Sequence, residues 1–132
     1  MLGPIEAPDA GADTIRAAFA GYAAASDDGW SPGRGCLMCN TAVERGALDP
    51  GSRRHVVAYL QRLERAFRNA LDNARRAGEI DDAADLDELA AFLATSLVGI
   101  SASIRAEAPP AQVQAACRVT TGVLDLHRPS SS

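Results

Sequence analysis

Cys36 and Cys39, in Gly35-Cys36-Leu37-Met38-Cys39-Asn40, are the side chains whose types and spacing come closest to a reactive site in this 132-residue chain. At a helix N-terminus the first thiol of such a pair can have a lowered pKa and act as a redox centre or a metal ligand. Thioredoxin-type chemistry wants a preceding strand, and structural zinc wants two more ligands at close spacing, whereas Cys117, His55 and His127 are scattered. Buried, reduced thiols are therefore expected, with a CxxC redox sensor as the alternative. His55, beside Arg53 and Arg54, and His127 both lack a neighbouring nucleophile and orienting acid, and read as surface histidines. Ser31-Pro32-Gly33-Arg34-Gly35 lacks the Lys-Ser/Thr of a phosphate loop. The carboxylates Asp81, Asp82, Asp85, Asp87 and Glu88 are not spaced as a calcium loop and read as solvated cap charges. The expectation is a protein with no catalytic residues, no metal and no cofactor.

Composition points the same way. A chain of this length makes one ordinary domain with a core of its own. Apolar residues are 47% and charged residues 23%, which excludes a disordered or fibrous chain. The net charge of -4 disfavours direct nucleic-acid binding, because counterion release needs clustered cations. Alanine is abundant and aromatics are few, so an all-α fold is expected. All 13 basic residues are arginine, which reads as the codon usage of a GC-rich, bacterial genome. No basic segment followed by an apolar run opens the chain, and the uncharged stretch Leu89 to Ile104 is short of a bilayer span. A cytoplasmic protein with no membrane partner is the expectation, and the odd number of cysteines argues against a disulfide framework.

Glycine and proline breaks divide the chain into five helical segments, with residues 1–11 and 127–132 as loose ends and 12–126 as the domain. The first, about Ala12 to Ser26, spaces Ile15, Phe19 and Tyr22 along one face. The second is short, Cys36 to Arg45, and stops at Gly46. In the third, Asp49 can cap, Pro50 suits the first helical position, and Arg75 and Arg76 precede Gly78. Val56, Leu60, Leu63, Phe67, Ala70 and Ala74 make its stripe, on a helix of about 40 Å. The fourth opens with Asp85 and Glu88 in capping-box spacing and runs to about Ala106, before Pro109 and Pro110; it is nearly charge-free around its circumference beyond Glu88. The fifth, Ala111 to Leu126, is similarly uncharged. Two adjacent helices with so much uncharged surface cannot both be covered by three others, which implies a partner chain.

The run Gly35-Cys36-Leu37-Met38-Cys39-Asn40-Thr41-Ala42-Val43-Glu44 resembles the segment that opens the short central helix in the ligand-sensing domain of TetR/AcrR-type transcriptional regulators. Asp49-Pro50 through Arg76, then Ala77-Gly78-Glu79-Ile80 and an acidic cap, follow in that family's order over about residues 12 to 126. The resemblance implies a five-helix effector domain that dimerises through its last two helices. It also implies allosteric control of DNA binding by an N-terminal helix-turn-helix. This chain begins beyond that element, so DNA contact is expected only through an absent N-terminal domain; an orphan dimerisation module that binds no DNA is the alternative.

From the resemblance, a small hydrophobic effector is expected between the first four helices. Phe19, Tyr22, Leu37, Met38, Leu60, Phe67, Phe92 and Leu93 would border its cavity, and Asn40, Thr41 and Glu64 would orient it. Ordinary core packing, and helix-surface hydrogen bonding for the last three, are the alternative. The homodimer seam is expected through Ala91, Thr95, Val98, Gly99, Ala102, Val113, Ala116, Cys117, Thr120 and Leu124, whose small side chains let backbones approach closely.

Overall fold

A computed structural model describes residues 3–27 and 50–130. Every regular element among them is a helix: α1 Gly3–Glu6, α2 Ala12–Asp27, α3 Pro50–Arg76, α4 Leu86–Arg105 and α5 Pro110–Leu126. The expected helix Cys36 to Arg45 lies outside the described residues.

Local chemistry sets the ends. The backbone N–H of Glu88 donates to Asp85 Oδ1 at 3.1 Å, capping α4. Past α3, Gly78 takes φ +81; its N–H bonds the Arg75 carbonyl while that of Glu79 reaches back to Ala74, a closure that needs a left-handed residue. The end of α4 has the same pair of bonds, Glu107 to Ile104 and Ala108 to Ser103, but the left-handed position is Glu107, φ 61. The acidic cluster does local work: Asp81 Oδ1 accepts from the Ala83 N–H, and Asp87 pairs with Arg68 at 2.8 Å. No metal-binding group of His, Cys, Asp and Glu exists among the described residues.

Helix α3 packs along α4, and α2 packs along α5. Ile15, Phe19 and Tyr22 from α2, Leu63, Phe67 and Leu71 from α3, and Leu86, Leu93 and Leu97 from α4 share one core with Val113, Cys117 and Leu124 from α5. Phe19 and Phe67 stack at its centre, ring centroids 6.1 Å apart. Helix α4 is long and apolar enough to cross a membrane, and its buried side packs in this core.

The N-terminal stretch expected as a loose end is instead tied down over its described part. Ile5 and Ala10 are buried, Asn73 Nδ2 donates to the carbonyls of Pro8 and Ala10 at 2.8 and 2.7 Å, and Arg62 grips Glu6 with two bonds of 2.6 and 2.7 Å. At the other end, the His127 carbonyl accepts from the Asp81 N–H at 2.7 Å, which holds the first residue beyond α5 in place.

A left-handed backbone costs an L-residue about 1 to 2 kcal/mol, and glycine escapes that strain at the expense of its greater freedom when unfolded. Glu107→Gly should therefore raise the unfolding free energy by about 0.5 to 1 kcal/mol in urea melts. A decrease would mean that the strain is relieved elsewhere.

Candidate functional site

Between α1, α2, α3 and α4 lies a partly open cavity of about 430 Å³. Its floor and walls are mostly hydrocarbon: Pro4 and Ile5 from α1, Ala17, Ala18 and Ala25 from α2, Leu63 from α3 and Leu97 from α4, with Gly21 leaving a gap in the α2 wall. The polar groups bordering it are Thr14, Tyr22 and Tyr59. Helix α2 can do this because it carries two stripes. Ile15, Phe19 and Tyr22 turn into the core, and the small residues Thr14, Ala17, Ala18, Gly21 and Ala25 stand beside the open space. Burial pushes both the Tyr22 and Tyr59 phenols above their ordinary value, so both are protonated at neutral pH.

Only part of the expected site is brought together here. Tyr22 borders the cavity, whereas Phe19, Phe67 and Leu93 are fully enclosed core residues outside its lining. Leu60 and Glu64 are half-buried on α3, also outside the lining. Phe92, expected at the cavity, is instead 43% exposed on the outer side of α4. Leu37, Met38, Asn40 and Thr41 lie outside the described residues, as do Cys36 and Cys39. Tyr59 and the α2 stripe were missed; the spacing of 14, 17, 18, 21 and 25 was the available signal, a second helical face of small residues beside the bulky one.

The expected dimer set also divides. Val113, Cys117, Thr120 and Leu124 are buried within this one chain, because that face of α5 meets α2. Burial raises the pKa of the Cys117 thiol, which disfavours the reactive thiolate. Ala91, Thr95, Gly99 and Ala116 are exposed, and Val98 and Ala102 half-buried. Beside them the structure adds large apolar side chains that the expected set lacked: Val119 at 70% and Leu126 at 81% exposure, with Phe92. Ala116, Val119, Val123 and Leu126 recur at the spacing of a single helix face.

The match to known families is specific: the model of the family described as Tetracyclin repressor-like, C-terminal domain covers residues 11–120. The chain belongs to that family of ligand-binding and dimerisation domains of transcriptional regulators. Such domains are regulatory and not enzymatic. None of the curated proteins and none of the solved structures matches the chain.

Proposed function

We propose that this chain is the effector-sensing and dimerisation domain of a cytoplasmic bacterial regulator of the TetR type, with the cavity between α1 and α4 as the place of a small apolar effector. The observation that carries the reading is that cavity: about 430 Å³ of mostly hydrocarbon-lined space, within the size range of small-molecule sites. Phe19, Phe67 and Leu93 belong to the core and not to the cavity's lining, and Leu37, Met38, Asn40 and Thr41 are proposed as further effector contacts.

Control follows from where the cavity lies. Pro4 and Ile5 of α1 form one wall, so an effector favours the arrangement in which α1 sits against it. In an intact regulator the DNA-reading helix-turn-helix precedes α1, and its placement shifts with that helix. The coupling is the effector's difference in affinity between the two arrangements. The Glu6–Arg62 pair and the Asn73 amide hold α1 and the following turn in the arrangement seen.

A library of apolar and aromatic metabolites screened by melting temperature tests the effector site. A compound at 100 times its dissociation constant stabilises the fold by about 2.7 kcal/mol, a shift of several degrees. No atom lies within 4 Å of a Cβ placed on Gly21, so Gly21→Leu reaches into open space at the cavity. That variant should melt no lower than the unmutated chain and lose the shift; a shift that survives it would place the effector elsewhere.

The second part of the reading is a homodimer through the outward faces of α4 and α5, Thr95, Gly99 and Ala102 meeting their copies beside Phe92, Ala116, Val119 and Leu126. A Cβ on Gly99 would also meet nothing within 4 Å inside the chain. Gly99→Leu should accordingly leave the isolated fold intact and weaken the dimer, by about 1 to 3 kcal/mol of overpacking. Light scattering at micromolar concentration reads it. A monomer before mutation, or a dimer indifferent to Gly99→Leu, would contradict this interface.

A further inference from the structure

The cavity's electrostatics narrow the class of molecule it can hold. None of its described lining side chains carries a charge. The ionised groups adjoining it in sequence, Glu6 beside Ile5 and Arg62 beside Leu63, are spent on each other: Nε and Nη2 of Arg62 each donate to a different oxygen of Glu6, at 2.6 and 2.7 Å. The pair engages both carboxylate oxygens and one edge of the guanidinium, and neither group is part of the cavity's described lining. Among the described lining residues an entering ion would meet no opposite charge in exchange for the hydration it gives up, which is costly.

Hydroxyls are what the site does offer. Tyr22 and Tyr59 both border the space. A phenol donates one hydrogen bond and accepts others, so each can serve a ligand oxygen beside a protein neighbour. Behind Tyr22, the Ser101 hydroxyl is near enough to bear on the phenol's titration, yet Ser101 Oγ, in a residue only 3% exposed, meets no partner in hydrogen-bond geometry. A buried hydroxyl left unmatched in a well-packed core is uncommon. Turning the Tyr22 hydroxyl between Ser101 and a guest would let the chain of O–H groups close when the cavity is filled.

We infer that the cavity selects uncharged molecules made of a hydrocarbon body and a hydrogen-bonding oxygen, which the Tyr22 and Tyr59 hydroxyls receive, and rejects the acid of the same skeleton. This rests on the reading of the cavity as the effector site.

The test uses three probes on one ring system, naphthalene, methyl naphthyl ketone and naphthoate, by equilibrium dialysis against the full chain at neutral pH. The ketone should bind roughly tenfold tighter than naphthalene, the worth of one good hydrogen bond, and more than roughly tenfold tighter than naphthoate. Tyr22→Phe and Tyr59→Phe should together bring the ketone down to the naphthalene level while naphthalene itself stays within about twofold, which also shows that the variants keep the cavity. Naphthoate binding as tightly as the ketone overturns the inference, as does a ketone advantage that survives both substitutions or a loss of naphthalene binding in the variants. In those cases naphthalene binding to the unmutated chain, abolished by Gly21→Leu, leaves the effector site standing. Failure of all three probes to bind overturns both.

Discussion

The packing of α3 against α4 encloses Leu63, Phe67, Leu71, Leu86, Leu93 and Leu97, and each such side chain removed from water is worth about 1.5 to 3 kcal/mol. Helix α2 then lays Ile15, Phe19 and Tyr22 on that seam, and α5 covers α2 with Val113, Cys117 and Leu124. The layers depend on one another in this order. Without the seam, the stacked Phe19 and Phe67 would have no enclosure, and α5 alone carries too little polarity on its buried face to stand in water.

The same seam leaves the cavity. Helix α3 runs 27 residues, far past the reach of α1, which is a single turn. Beyond that turn the α2 side offers alanines and a glycine where the core side offers isoleucine and phenylalanine, so the described helices approach without filling the space between them. A domain optimised for stability alone would place larger side chains there. The outer face of α4 has a related character: from Ala91 to Ala102 it presents small and apolar groups with no charge, a surface suited to close approach by another helix.

Much of this organisation was legible in the chain. Pro50, Gly78, Asp85 and the Pro109-Pro110 pair mark helix ends by local chemistry, and the structure uses each as expected. What local chemistry could not supply was orientation. Helix α5 carries one stripe through Val113, Cys117, Thr120 and Leu124 and another through Ala116, Val119, Val123 and Leu126; both are apolar, and only the position of α2 decides which is buried. Phe92 shows the same ambiguity on α4, where an uncharged circumference gives periodicity nothing to separate. The order in residues 3–11 was invisible for a different reason: a four-residue helix has almost no intrinsic stability, and its anchors, Arg62 and Asn73, stand more than fifty residues along the chain. The cavity lining was not legible because alanine and glycine create space by what they lack, whereas bulky aromatic side chains mark the filled core.

The claim on which the rest turns is that the space between α1 and α4 admits a guest. Intermolecular nuclear Overhauser effects between bound naphthalene and the methyl groups of the protein locate it directly. Contacts to the methyls of Ala18, Leu63 and Leu97 are predicted. Contacts confined to Val119 and Leu126 on the outer face, or no contacts at a saturating concentration, would contradict the account.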